Sequence, residues 1–211
     1  MMGKILIAIM CLIGLPVSYS YAGNLEDGSS AYNKGDYKTA YKLFLIEANK
    51  GNADAQYTLG VMCDEGRGVL QDYKEGVKWV RLAAEQGNAD AQYNLGVSYH
   101  IGQGVAQDYK EAFKWYSLAA EQGVAEAQLN LGVSYEKGEG VLQDYKEAVK
   151  WYRLAAGHGV ARANCYLAEA CVSGLGMMKD MSLAKRLAKK GYDSGAAYCG
   201  EIWKKYNLAN Y

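Results

Sequence analysis

A repeated motif constrains this chain more than any other feature. The Leu-Gly pair recurs every 36 residues, at Leu59-Gly60, Leu95-Gly96 and Leu131-Gly132. The run Gln-Asp-Tyr-Lys-Glu keeps the same step, so the period extends over the whole unit. Self-similarity at a period of about 20–50 residues indicates supersecondary units that stack and share a core. We therefore predict an array of stacked repeats.

Residues 1–22 resemble a signal peptide. Lys4 supplies the positive charge, residues 5–15 form an almost unbroken apolar run, and small residues precede a predicted cleavage after Ala22. The run is short for a membrane span, which needs about 20 apolar residues. We expect export, to the periplasm or outside the cell, with no membrane contact after cleavage. The alternatives are a retained anchor and, with less support because Met10 precedes it, a lipidated Cys11.

Charge excludes two classes of partner. The full chain has 23 basic and 23 acidic side chains, and removal of residues 1–22 takes away only Lys4. This balance gives no electrostatic footprint for nucleic acid or for an anionic membrane surface. We expect neither as a partner.

Each full unit predicts two helices. In the first, Ala91, Leu95 and Tyr99 form an apolar stripe at helical spacing, and Gly96 falls in the middle of it. Glycine costs about 1 kcal/mol relative to alanine in a helix, so we expect a second helix to approach closely there. The link Gly102-Gln103-Gly104-Val105 is then a turn, since the full dinucleotide fingerprint is absent.

The second helix begins at a predicted capping box. Asp72 occupies the N-cap with Glu75 three residues later, and both recur in the next units beside a lysine, which favours caps and surface ion pairs over acid–base catalysis. Trp79, Trp115 and Trp151 recur in register on this helix. We predict that they pack between repeats; stacking on carbohydrate is the alternative.

These motifs together resemble the Sel1-like repeat (SLR) family, a longer-looped relative of the tetratricopeptide repeat. The pattern Ala-x-Ala-Gln-x-x-Leu-Gly to Ala-Ala-x-x-Gly covers residues 53–160 in three units, and a divergent fourth unit has Leu167-Ala168 for the Leu-Gly pair and Leu187 for the tryptophan. The resemblance implies an all-α, right-handed solenoid of antiparallel helix pairs. We assign a signal peptide (1–22), an N-terminal capping half-repeat (23–52), repeats (53–88, 89–124, 125–160 and divergent 161–196) and a C-terminal capping helix (197–211).

The resemblance also implies a function. Members of the family look like adaptors that hold other proteins, with the first helices lining a concave groove, and exported bacterial members are linked to envelope processes or host contact. The register of the Leu-Gly pair transfers the groove positions to Asp54, Tyr57, Val61, Asp64, Glu65, Asp90, Tyr93, Val97, His100, Ile101, Glu126, Leu129, Val133, Glu136 and Lys137. Variation among units concentrates at 64/100/136, 65/101/137 and 67/103/139, as in a constant scaffold with a varied binding face.

Four cysteines remain after signal cleavage, in what should be an oxidising compartment. Cys63 and Cys171 occupy the same register three repeats apart, beyond the limit of about 7 Å between the Cα atoms of a disulfide. In a stack of helix pairs, Cys199 lies on the first helix next to that of Cys165 and Cys171. We expect a bond from Cys199 to one of these two, and a buried, reduced Cys63.

The sequence gives little support for an enzyme. Ser134-Tyr135-Glu136-Lys137 and Ser182-Leu183-Ala184-Lys185 match the Ser-x-x-Lys word of β-lactamases and penicillin-binding proteins, but the companion motifs are absent. His100 and His158 do not form a recognisable metal-ligand set. We expect a monomeric, non-enzymatic adaptor for a protein or peptide, without cofactor or metal. A structural protein that binds cell-wall glycan through its aromatics is the alternative, and a β-lactamase-like hydrolase is a third.

Overall fold

The computed structural model of the protein describes residues 17–210, with side chains from Gly23. Residues 1–16, and with them most of the predicted signal peptide, lie outside this part. The described chain is all-helical. Its elements are α1 (Val17–Asn33), α2 (Tyr37–Asn49), α3 (Ala53–Glu65), α4 (Tyr73–Glu85), α5 (Ala89–Ile101), α6 (Tyr109–Glu121), α7 (Ala125–Lys137), α8 (Tyr145–Gly157), α9 (Ala161–Ser173), α10 (Met181–Asp193), α11 (Ala197–Lys205) and a 3-10 turn, Leu208–Asn210.

The helices form an α-solenoid. Each helix packs mainly on the helices next to it in sequence, and α11 contacts both α9 and α10. The core is a series of clusters that each join neighbouring helix pairs, as expected for a stack in which a unit buries its apolar face only against its neighbours. The predicted fold class is confirmed.

Close approach explains the glycines in the middle of the first helices. A Cβ on Gly96 would lie 2.6 Å from Cδ1 of Tyr116, and one on Gly60 would lie 2.9 Å from the carbonyl oxygen of Gly76. Because atoms at these distances overlap, any side chain would force the two helices of the pair apart. The prediction of close helix packing is confirmed.

The loop glycines connect one unit to the unit before it. Gly104 has a φ of 73°, and a Cβ on it would overlap the carbonyl oxygen of Tyr73, the first residue of α4. Gly68, Gly140 and Gly176 make the equivalent approach to the preceding second helix. The second glycine of each link therefore serves repeat stacking as well as the turn.

Caps start the second helices, but only half of the predicted capping box forms. Oδ1 of Asp72 accepts hydrogen bonds from the backbone N–H groups of Lys74 and Glu75. The backbone N–H of Asp72 itself donates to the carbonyl oxygen of Cys63 at 3.0 Å, so it does not need the Glu75 carboxylate. That carboxylate instead pairs with Lys78 at 2.7 Å.

Buried glutamines hold consecutive units together. Nε2 of Gln92 donates to the carbonyl oxygen of Ala84 in the preceding unit at 3.1 Å, and its Oε1 accepts from Nε2 of Gln122 at 2.8 Å. Gln56 and Gln128 make the same crossing. The sequence reasoning gave this recurrent glutamine no role, although its strict recurrence in the first three units could have indicated one.

The two ends of the stack differ. Residues 23–52, assigned as a capping half-repeat, contain the end of α1 and all of α2, and α1 runs through the predicted cleavage point at Ala22. At the other end, α11 buries Ile202 in the last core cluster, with Trp203 partly buried beside it.

Candidate functional site

The predicted groove positions fall into three groups by exposure. Asp54, Asp90 and Glu126 are exposed, at the same register on α3, α5 and α7. Tyr57, Tyr93 and Val97 are half-buried, as are Asp64, His100 and Glu136. Leu129 is only 2% exposed and belongs to the core between α7 and the helices that follow. It therefore presents no accessible side chain, because that core covers the position.

Polar contacts tie the first helices of successive units to one another. Asn88 donates to Oδ1 of Asp54 at 2.9 Å, and Asn94 donates to the hydroxyl of Tyr57 at 3.2 Å. Further along the stack, Arg162 lies 3.6 Å from the carboxylate of Glu126. These contacts run along the accessible face of α3, α5, α7 and α9, which we call the first-helix face.

Asp64 is turned toward its partner helix. Its Oδ1 lies against Gly76 of α4, where a Cβ would overlap it, and the following units have alanine at the position of Gly76. This oxygen is buried and accepts no hydrogen bond from the described residues. Burial, together with the nearby Glu65 carboxylate, raises the pKa of Asp64 to about 6.

His100 occupies the same position one unit later and lies among aromatic rings. Its ring centroid is 5.3 Å from that of Tyr109, edge to face, and 6.3 Å from that of Tyr116. Nδ1 of His100 is 3.9 Å from Oε2 of Glu139 in the next loop, too far for a hydrogen bond. His100 therefore lies at the contact between two units as well as on the first-helix face.

Glu136, at the third such position, accepts a hydrogen bond from the Tyr152 hydroxyl. Burial and this carboxylate raise the pKa of Tyr152 well above its usual range, so the phenol stays protonated and acts as the donor. Glu136 also lines a cavity of about 200 Å³ between α7, α8 and α9.

Glu169 on α9 is a candidate that sequence reasoning missed. Its carboxylate accepts from Tyr198 at 2.7 Å, from Lys205 at 2.9 Å and from Tyr206 at 3.0 Å. Burial opposes ionisation of Glu169, but these three hydrogen bonds outweigh it and hold its pKa below the usual range. Glu169 occupies the position that is valine in the three earlier units, and this replacement of valine by a charged residue could have indicated a special role.

The recurrent tryptophans are packing residues. Trp115 is 6% exposed within the core that joins α4 and α5, and Trp79 and Trp151 pack against the equivalent cores one unit earlier and later. Lys114 and Lys150 lie over the rings of Trp115 and Trp151. Packing therefore accounts for these rings, and the carbohydrate-stacking interpretation gains no support from them.

The structure joins Cys165 to Cys199, one of the two bonds that the sequence left open. Cys171 and Cys63 are buried and reduced. Sγ of Cys171 lies 3.5 Å from the sulfur of Met177. The disulfide links α9 to α11 and so fixes the last helix to the stack.

The Ser-x-x-Lys words do not form a nucleophilic site. Ser134 is buried, and Lys137 pairs with Glu139 at 3.7 Å. Ser182 is exposed on α10, where Lys185 donates to the carbonyl oxygen of Ala209. Within residues 17–210, no cluster of three or more His, Cys, Asp or Glu side chains has the arrangement of a metal site, and no helix has the length and apolar character of a membrane span.

Comparison with protein families decides the classification. The Sel1 repeat model matches residues 53–88, 89–124, 125–160 and 161–195. The chain belongs to the Sel1 repeat family. Sel1 repeats form a non-catalytic scaffold fold, and Sel1 repeat proteins are generally protein-interaction scaffolds that bind other proteins.

Solved Sel1 structures share the fold. A protective antigen with an SLR fold, present in uropathogenic Escherichia coli strains, is 37% identical, with a TM-score of 0.79 over 83% of this chain and 38% of its own. A Sel1 repeat protein from Oxalobacter formigenes is 36% identical, with a TM-score of 0.79 over 83% and 70% of the two chains. This chain thus spans well under half of the first relative. A search among curated proteins finds no match.

Proposed function

We propose that this Sel1 repeat protein is a non-enzymatic adaptor that holds a protein or peptide segment against the first-helix face. The observation that carries the proposal is the contrast along that face. Asp64, His100 and Glu136 differ in side chain at one register and are partly accessible, whereas the glycines and glutamines that hold the stack recur unchanged in the first three units. A constant frame with varied, partly accessible side chains suits the recognition of an irregular polypeptide surface.

The accessible groups support peptide or protein capture. Asp54, Asp90 and Glu126 form an acidic row at the exposed edge of the face, and the half-buried rings of Tyr57 and Tyr93 lie beside them. Tyrosines with a polar rim are typical of protein interfaces. The buried Ser134 and the Lys137–Glu139 pair support a non-enzymatic role.

Export to the periplasm or beyond is the second part of the proposal. The Cys165–Cys199 disulfide favours an oxidising compartment, since such bonds persist mainly outside the cytosol. The apolar segment at residues 5–15 provides the expected export signal. An envelope or extracellular protein is therefore the expected partner.

The test compares capture of envelope proteins by three versions of the purified protein. The face variant carries Asp54→Lys and Asp90→Lys, two substitutions at exposed positions of the first-helix face. The matched control is Glu85→Lys with Glu121→Lys, exposed at the ends of α4 and α6. We expect the unaltered protein and the control to capture a partner protein that the face variant does not capture.

Capture of the same partner, in equal amounts, by the face variant and the control would contradict the assignment of the binding site to the first-helix face. Sedimentation of the unaltered protein with purified peptidoglycan, without any protein partner, would replace the adaptor function with glycan binding.

A further inference from the structure

The cavity beside Glu136 differs from the rest of the first-helix face. It has a volume of about 200 Å³ and lies between α7, α8, α9 and the residue that follows α11. Two carboxylates and four tyrosines line it: Glu136, Glu169, Tyr145, Tyr152, Tyr166 and Tyr206.

The Glu136 carboxylate has room for another donor. Its Oε2 accepts from the Tyr152 hydroxyl, and no described residue donates to its other oxygen. A carboxylate can accept several hydrogen bonds. The partly buried setting strengthens any charge-assisted bond made there, because solvent screens it less.

The charges around the cavity leave an excess of negative charge. Lys205 neutralises Glu169 from its exposed side at 2.9 Å. The other cations nearby are engaged elsewhere, Arg162 with Glu126 at 3.6 Å and Lys137 with Glu139 at 3.7 Å. Glu136 thus has no cationic partner among the described residues.

Two of the tyrosines that line the cavity stack on each other. The ring centroids of Tyr152 and Tyr166 are 4.9 Å apart, and Tyr198, which is not part of the lining, supports Tyr166 with its ring centroid at 5.6 Å. Aromatic rings attract cations, and a guanidinium group combines a flat surface for stacking with N–H donors for a carboxylate.

The carboxylate pair occurs at one junction of the stack. One unit earlier the equivalent positions hold His100 and Val133, and two units earlier they hold Asp64 and Val97. The same backbone therefore provides a pair of glutamates only between α7 and α9.

We propose that this cavity binds one basic side chain, arginine or lysine, of a polypeptide partner. The proposal rests on the adaptor function and adds the chemistry that the partner must present. The carboxylate of Glu136 accepts hydrogen bonds from the N–H groups of the partner's arginine or lysine. The tyrosines exclude water from the aliphatic part of that side chain.

The experiment is an NMR titration of the full protein with N-acetyl-arginine methylamide and with its citrulline analogue, which keeps the shape but lacks the charge. We expect the arginine probe to bind at least about tenfold more tightly than the citrulline probe, as for a charge-assisted contact of about 1.4 kcal/mol. Glu136→Gln should weaken arginine binding by a similar factor. The matched control, Glu121→Gln, removes an exposed carboxylate at the end of α6, outside the cavity and the first-helix face, and should leave arginine binding unchanged.

Equal binding of the two probes, absence of arginine binding, or an unchanged affinity in Glu136→Gln would overturn the cation site. The comparison of probes on the unaltered protein requires no variant to fold. Partner capture without arginine binding would overturn only this inference. Arginine binding in a protein that captures no partner would instead overturn the adaptor function.

Discussion

Oδ1 of Asp64 lies against the backbone of Gly76 across the α3–α4 pair, buried and without a hydrogen-bond donor among the described residues. Burial raises the pKa of this carboxyl from 3.8 to about 6, so the folded state binds the proton more tightly than the unfolded state does. The resulting loss of stability is absent below pH 3.8, grows as the pH rises toward 6, and is complete above it.

Asp64→Asn should therefore stabilise the protein at neutral pH. A pKa difference of one unit corresponds to about 1.4 kcal/mol, and partial solvent exposure reduces the gain, so we expect about 1–2 kcal/mol at pH 7.5. At pH 4 the two proteins should unfold at nearly the same urea concentration. A gain of equal size at both pH values would show that the amide acts through packing and not through charge.

Gly96→Ala should destabilise the α5–α6 pair. The new Cβ would lie 2.6 Å from the buried ring of Tyr116, and overpacking of this kind costs about 1–3 kcal/mol. This exceeds the gain of about 1 kcal/mol in helix propensity. The control is Gly157→Ala at the end of α8, where a Cβ meets nothing within 4 Å; it should be neutral or stabilising. Equal thermal melting shifts in the two variants would contradict the close approach.

Gln92→Ala should weaken the contact between successive units. It removes the hydrogen bond to the carbonyl oxygen of Ala84 and the one from the amide of Gln122. Both groups keep a second partner on the backbone of Gly87, so we expect the loss of two ordinary hydrogen bonds, about 0.5–1.5 kcal/mol each. Gln107 makes its hydrogen bonds at the exposed start of α6, so Gln107→Ala should cost less. Chemical denaturation of both variants gives the comparison, and a larger loss for Gln107→Ala would count against the buried glutamine contacts.

Reduction should loosen the C-terminal end of the stack. The Cys165–Cys199 bond joins residues 34 apart in the sequence, and closure of a loop of that size contributes about 4 kcal/mol. We expect dithiothreitol to lower the melting temperature of the unaltered protein and to leave that of Cys199→Ala unchanged. Cys171→Ala, which alters a buried reduced thiol, should keep the response to dithiothreitol. A response that survives in Cys199→Ala would place the bond elsewhere.

The repeats made the fold predictable from the sequence. The Leu-Gly pair, the loop glycines and the Asp72-type caps act within one unit or between adjacent units, so their spacing carries their structural role. Only half of the capping box forms, because the backbone N–H of Asp72 donates to the carbonyl oxygen of Cys63. No local sequence pattern predicts this contact.

The first-helix face was only partly predictable. Its positions follow from the helical register, but exposure at each depends on what the neighbouring helices place there. Leu129 and Tyr93 occupy the same register, yet Leu129 is buried and Tyr93 is partly accessible. Glu169 escaped notice because its partners, Tyr198, Lys205 and Tyr206, come from the end of the chain.

The sequence by itself determined the repeat, its helices, its turns and its stacking, since these depend on local periodicity. Tertiary structure decided the environment of each polar side chain on the face. Glu136 meets the hydroxyl of Tyr152, whereas the position of that tyrosine holds Val80 beside Asp64. One carboxylate is therefore hydrogen-bonded, while Oδ1 of the other has no donor among the described residues, because the group that packs against an acid sets its hydrogen bonding.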